Sequence, residues 1–271
     1  MKAKISYTAR YLPERVLTNF DLEKMVDTTD EWIRSRTGIE KRHLVGEGEA
    51  TSDMCTMIAK QLLEKSGKAP EEIDLILIAT STPDYMVVST AALVQDKIGA
   101  TNAWGYDIVA ACTGFVYAME TGSKLVESGQ YKNAMVIGAD TMSSIIDYTD
   151  RNTCVIFGDG GGGVLLEPSK DETGILDSIL HVDGSGSKYL TVPAGGSLHP
   201  ASKDTVDKKM HYVYQDGKTV FKFAVKNMAD VSKRILDRNQ LTGDDIKLFI
   251  PHQANQRIID AAAKRCGLAD E

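Results

Sequence analysis

A chain of 271 residues, 42% hydrophobic and 25% charged, is long enough for one large α/β unit or two fused halves and has the composition of a soluble globular protein. Its net charge of −7 argues against a general nucleic-acid surface, which needs an excess of Lys and Arg. The opening "MKAKISYTARYLPERV" lacks the apolar stretch of a secretory signal, and no apolar run approaches membrane-spanning length. The four cysteines, at 55, 112, 154 and 266, form neither a Cys-x-x-Cys pair nor a disulfide framework, so a reduced cytoplasmic compartment is expected.

Along the chain, apolar bursts suited to buried strands alternate with helical patterns. The strand candidates are "LILIAT" at 75–80, "AMVIGAD" at 134–140, "GGVLLEP" at 162–168 and "LFIPH" at 248–252. This alternation predicts an α/β fold with largely parallel central strands. Cys112 follows "WGYDIVAA" and precedes a stretch in which Phe115, Met119, Leu125 and Val126 recur near helical spacing. It is read either as a packed small hydrophobe or as a nucleophile at a helix start, where backbone N–H groups and the macrodipole favour a thiolate. The small neighbours Ala110, Ala111, Thr113 and Gly114 leave room for a substrate.

The glycines of "FGDGGGGVLLEP" do not read as a phosphate cradle, which delivers a helix start. Val164, Leu165 and Leu166 follow them, so a tight turn entering a strand is expected. Cys154, flanked by apolar residues, is assigned to the core, and the acidic residues show no metal-ligand clustering. His252 ends a strand-like run and opens "PHQANQRIIDAAAKR", whose apolar positions suit a helix. Such a histidine either faces a ligand at a strand's carboxyl end or serves as a helix cap. His43, His181, His199 and His211 read as surface residues. Arg257, Lys264 and Arg265 share one face of the helix after His252, either as a solvated stripe or as a guide for an acidic partner.

Displaced by 173 positions, "IAKQLLEKSGKAPEEIDLIL" at 58–77 overlies "VSKRILDRNQLTGDDIKLFI" at 231–250 without a gap. Each copy reads as helix, turn, acidic pair and strand. Such units recur widely, so the match admits coincidence as well as internal duplication. Duplication implies one half over 1–170 and a second over 171–271.

Read together, "TTDEWIRSRTGIEKR" at 28–42, "DIVAACTGF" at 107–115, "FGDGGGG" at 157–163, "DGKTVFKFAV" at 216–225 and "PHQANQRI" at 251–258 closely resemble the β-ketoacyl-[acyl carrier protein] synthase III family of the thiolase superfamily. The resemblance runs along the whole chain. It implies a layered α/β/α/β/α sandwich of two similar halves, the second incomplete, in a cytoplasmic homodimer. It implies a transferase that begins fatty-acid synthesis by condensing acetyl-CoA, or another short acyl-CoA, with malonyl-[acyl carrier protein]. Cys112 matches the acyl-accepting nucleophile and His252 the catalytic histidine. Trp32 and Arg151 match residues that sandwich the adenine of coenzyme A. Arg36, Thr37, Asn152, Phe221, Ala254 and Asn255 match its pantetheine and nucleotide channel. Lys222, Gln253, Arg257, Lys264 and Arg265 match the face that receives acyl carrier protein. No metal or redox cofactor is implied, and acyl-CoA is a substrate.

Two departures accompany the resemblance. The family's second oxyanion donor is an asparagine in a "GNTSAAS"-like segment, and this sequence ends at "GLADE" before reaching it. Either the sequence is part of a longer protein or it completes only part of the cycle, and severely impaired condensation is expected of a protein that ends at Glu271. In "DYMVVSTAA", at 84–92, Val87 and Val88 stand where the family usually has an aromatic residue and proline, which puts primer selectivity in question. Three other readings remain: a related condensing enzyme of secondary metabolism, a Cys-His thioester hydrolase, and a homologue that binds coenzyme A or carrier protein without turnover. The hydrolase lacks an acidic residue to orient His252.

Overall fold

A computed structural model of the chain describes residues 1–171 and 173–268. Strands β1 (Ala3–Tyr11) and β2 (Arg15–Thr18) lead into helices α1 (Asn19–Leu22) and α2 (Asp30–Thr37), then β3 (Lys41–Leu44), α3 (Thr51–Ser66), β4 (Leu75–Ala79), α4 (Thr90–Ile98) and β5 (Trp104–Ile108). There follow α5 (Gly114–Glu127), β6 (Ala134–Thr141), β7 (Asp159–Pro168), β8 (Leu190–Thr191), α6 (Lys203–Asp207), β9 (Tyr214–Gln215), α7 (Gly217–Arg238) and α8 (Gln256–Arg265). The chain divides into two compact units that interleave in sequence. The first comprises 1–16, 43–144 and 158–176, and the second 17–42, 145–157 and 177–271.

The first unit is built on a five-stranded sheet in the order β1-β7-β6-β4-β5. Strand β4 runs parallel to β5 and β6, whereas β7 runs antiparallel to both β1 and β6, so the central strands are parallel and one antiparallel strand joins them. All five residues of β4 are buried, because helices cover both sheet faces. The period-2 pleat sorts its side chains cleanly. Ile76 and Ile78 pack with Met54, Ile58 and Leu62 of α3 and Val94 of α4. Leu75, Leu77 and Ala79 pack on the other face with Ala118 and Val126 of α5.

The glycine run lies inside β7 rather than in a turn before it. Space explains its composition. A Cβ on Gly161 would come 2.7 Å from Cβ of Ala139 and 2.8 Å from Cδ1 of Ile58, and one on Gly163 would come 2.8 Å from Cγ2 of Ile58. Helix α3 therefore sits against almost bare strand backbone. No strand forms over 248–252, contrary to the apolar pattern. No neighbouring strand among the described residues offers that segment a hydrogen-bonding ladder, and Leu248 and Ile250 stand 74% and 78% exposed.

The 173-residue repeat reappears as local geometry. Residue 67, a glycine just past α3, has φ 67°, and its counterpart Gln240 just past α7 has φ 57°. Glu72 Oε2 accepts from the Ala69 amide at 2.8 Å, and Asp245 Oδ2 accepts from the matching Thr242 amide at 2.8 Å. Among the described residues, no helix is long and apolar enough to cross a membrane.

Candidate active site

Cys112 belongs to the first unit. The parallel register sets Ala79 beside Ile108 of β5 and Gly138 of β6, so the segments that follow all three strands leave the sheet at one carboxyl edge. That edge is where open α/β sheets hold ligands. A single 3₁₀ turn, Ala111–Thr113, carries Cys112 from β5 towards α5. Ala111 adopts φ 44°, a left-handed conformation rare for a residue with a side chain and a recurrent mark of functional turns. Gly114 brings the start of α5 close to β4, where a Cβ would lie 3.2 Å from Cβ of Ala79.

Cys112 is exposed, and the other three cysteines are buried; Cys154 is a core residue, as its apolar flanks predict. Solvent reaches Cys112, but protein crowds its flanks, and this partial desolvation is the main cause of a thiol pKa above the usual cysteine value. The Asp140 carboxylate raises it further, and the backbone N–H of Cys112 pulls the other way. The helix start thus does not prevail at rest, and at neutral pH the sulfur is mainly a thiol. Asp140 lies in β6, where its Oδ1 accepts from the Ser81 amide at 2.7 Å and from the hydroxyls of Thr80 at 3.1 Å and Thr82 at 3.2 Å. Burial nevertheless raises its own pKa. Sequence reading passed over Asp140; its only signal is an acid at the end of "AMVIGAD".

The other proposed site residues belong to the second unit. Thr29 caps α2 by accepting from the Trp32 amide, and buried Ile33 seats the helix, leaving Trp32 and Arg36 on its outer side. The Arg151 guanidinium lies 4.5 Å from the Trp32 ring centroid and that of Arg36 lies 5.8 Å away, so these three side chains form one group. Asp150 shapes the turn bearing Arg151, its Oδ1 accepting from the amide and side chain of Asn152 at 3.0 and 2.9 Å. The Thr37 hydroxyl is engaged locally, donating to the Ile33 carbonyl at 2.7 Å and accepting from the Ile39 amide at 3.0 Å.

Helix α8 begins with Asn255 as its cap, the side chain accepting from the Ile258 amide at 3.1 Å. His252, Gln253 and Ala254 lie in the irregular segment just before it. Neither ring nitrogen of His252 has a hydrogen-bond partner among the described residues, so His252 is not a helix cap. His252 is exposed as a residue, yet the protein around it desolvates the ring enough to lower its pKa, which leaves the imidazole neutral at pH 7. Arg257 stacks over Phe221 at 5.1 Å, and Arg265 reaches Asp230 at 3.8 Å. Lys222, Arg257, Lys264 and Arg265 are all exposed. Two of the histidines read as surface residues are instead partly buried: His43 Nδ1 is 2.6 Å from the Pro13 carbonyl, and His211 Nε2 is 2.9 Å from the Thr205 hydroxyl. No group of three His, Cys, Asp or Glu among the described residues is placed to hold a metal ion.

Family models for 3-oxoacyl-[acyl-carrier-protein] synthase III match residues 106–184, and for its C-terminal part residues 236–271. A β-ketoacyl-[acyl-carrier-protein] synthase III of Chlorobium luteolum is 59% identical over 271 residues, covering 99% of this chain and 82% of that protein. The crystal structure of a 3-oxoacyl-[acyl-carrier-protein] synthase III from Aquifex aeolicus superposes with a TM-score of 0.89 at 41% identity, over 98% of this chain and 82% of that one. A priming β-ketosynthase of the R1128 polyketide pathway gives the same TM-score, 0.89, at 31% identity, over 99% of this chain and 79% of that one. The fold is accordingly the thiolase-like α/β fold of condensing enzymes, and the chain belongs to the 3-oxoacyl-[acyl-carrier-protein] synthase III family of acyltransferases.

Proposed function

We propose that this protein joins a short acyl group from acyl-CoA to malonyl-[acyl carrier protein], the first condensation of fatty-acid synthesis, in a cytoplasmic homodimer of chains with halves 1–170 and 171–271. The observation that carries the reading is Cys112: of four cysteines it alone is open to solvent, on a strained turn at the carboxyl edge of the sheet. The Cys112 sulfur attacks the thioester carbonyl as its proton passes to the CoA sulfur, and the tetrahedral intermediate collapses by breaking the C–S bond to CoA, which leaves as the free thiol. Malonyl-[acyl carrier protein] then loses CO₂. The electron pair of the broken C–C bond remains as an enolate, whose oxygen His252 meets as a neutral N–H donor. The carbanion attacks the acyl carbonyl, and the Cys112 sulfur leaves with the electrons of the C–S bond. Neither step needs a metal or redox cofactor.

Trp32 and Arg151 grip the adenine, with Arg36, Thr37, Asn152, Phe221, Ala254 and Asn255 along the rest of the coenzyme A path. A base stacked between Trp32 and Arg151 needs two van der Waals spacings, ~7 Å, so Arg151 swings off the ring to admit it. Lys222, Gln253, Arg257, Lys264 and Arg265 receive the acidic carrier protein. Self-association is supported by the free edge of β5, with Trp104 exposed on it and Val109 just beyond, and by the exposed apolar loop Tyr85–Val88.

Intact mass spectrometry after incubation with acetyl-CoA tests the reading. One acetyl adduct is expected on the parent protein and none on Cys112→Ser under hydroxylamine-sensitive conditions; an unmodified parent refutes it. Product analysis with malonyl-[acyl carrier protein] and a panel of primers separates fatty-acid initiation from the priming role of the polyketide relative.

A further inference from the structure

Arg42 is 3% exposed, and no carboxylate among the described residues pairs with it. Burial alone pushes its pKa down to about 10. A guanidinium held this way is costly, and an apolar residue would fill the same space at less cost, so what it contributes is the geometry of its hydrogen bonds. Its Nε donates to the Val155 carbonyl at 3.1 Å and its Nη2 to the same oxygen, while Nη1 donates to Oδ1 of Asn19. A guanidinium only donates, which fixes the Asn19 amide orientation. Nδ2 of Asn19 is thereby left to donate at 2.8 Å to the Ile39 carbonyl and at 2.8 Å to Oδ1 of Asp30.

The two ends of this chain of hydrogen bonds are the two arms of the aromatic–cation group. Asp30 is the first residue of α2, two positions before Trp32, and Ile39 lies just beyond that helix. Val155 lies at the far side of the turn that Asp150 opens and Arg151 follows; the Cys154 amide closes that turn onto the Asp150 carbonyl at 3.0 Å. Side chains at its tip can swing, whereas its base is tied.

We propose that Arg42, Asn19 and Asp30 form a buried strut that fixes the spacing between α2 and the 150–157 turn, and thereby sets affinity for the nucleotide half of coenzyme A without touching the thioester chemistry. These are positioning residues. The inference rests on the acyl-CoA reading of the site, and a donor that lacks the nucleotide separates the two.

The test measures the rate of Cys112 acetylation against donor concentration, with acetyl-CoA and with acetyl-pantetheine, for the parent and Arg42→Lys. Lysine keeps the charge but cannot span both acceptors. The half-saturating acetyl-CoA concentration is expected to rise about tenfold, from loss of a buried hydrogen-bond network. The value for acetyl-pantetheine and both maximal rates stay unchanged. Asp30→Ala, at a partly buried position, is measured alongside in case Arg42→Lys does not accumulate as folded protein, and is expected to show the same selective rise, about threefold. A parallel shift with both donors, or no shift with either, overturns the strut and leaves the acyl-CoA reading standing. A parent protein that takes acetyl from neither donor overturns both.

Discussion

At Cys112 accessibility and solvation point in opposite directions. The sulfur is open enough for a bulky thioester, yet poorly hydrated and close to a carboxylate, so the proton stays on. The sign of the Asp140 effect is testable. Asp140→Asn removes a negative charge and keeps a hydrogen-bond acceptor, so the midpoint of pH-dependent iodoacetamide alkylation should move down from that of the parent; a midpoint that holds or rises contradicts it. The preceding residue adds strain. A left-handed alanine costs roughly 1–2 kcal/mol relative to its ordinary conformations. Ala111→Val, with a branched side chain at φ 44°, should lower unfolding stability by at least about 1 kcal/mol, and Ala111→Gly should not lower it, as read by urea denaturation. Sequence inspection could place Cys112 between small residues at a helix start, but positive φ and through-space charge have no one-dimensional trace.

Helices and strands were legible wherever period and burial coincide. The continuous apolar run of β4 and the helical spacing after Cys112 both became the predicted elements, because β4 is buried on both faces and α5 on the one its spacing marks. Pattern alone misled over 248–252, since a strand is stabilised by its neighbours rather than by its own residues. It also placed the glycines in a turn, because what they accommodate is an approaching helix far away in sequence. Gly163→Ala should accordingly cost about 1–3 kcal/mol through overpacking against Ile58 and Ile137, whereas Gly129→Ala, with open space around it but φ 80°, should cost only its backbone strain. Thermal unfolding of the two variants distinguishes crowding from strain. At α8, Asn255→Ala removes the cap that starts the helix after His252 and should cost about 1 kcal/mol.

For the molecule as a whole, the repeat was the most informative sequence feature beyond single motifs. Matching left-handed residues at 67 and 240, and matching amide–carboxylate turns at 69–72 and 242–245, give the 173-residue offset a physical content that residue identities alone did not have. The site was less legible from local chemistry. Nothing in "DEWIRSRTG" taken alone marks Trp32 as a binding surface; the role proposed for it rests on resemblance, and the structure adds Arg151 over its ring. The strut beneath it was invisible because Asn19, Arg42 and Val155 are far apart in sequence. Primer choice belongs to this scale as well. Val87 is 95% exposed, on the loop whose departure from the family pattern puts primer selectivity in question. Val87→Phe should shift relative rates from isobutyryl-CoA towards acetyl-CoA, and an unchanged ratio would dissociate this loop from selectivity.

The protonated resting state of Cys112 also bears on survival under oxidative stress. Peroxide attacks the sulfur anion, forming a sulfenic acid that can go on to irreversible products. A thiol whose pKa lies above the ordinary cysteine value spends less of its idle time as the anion that peroxide attacks. Inactivation by hydrogen peroxide should therefore be slow at neutral pH and accelerate in alkali, with the three buried cysteines spared.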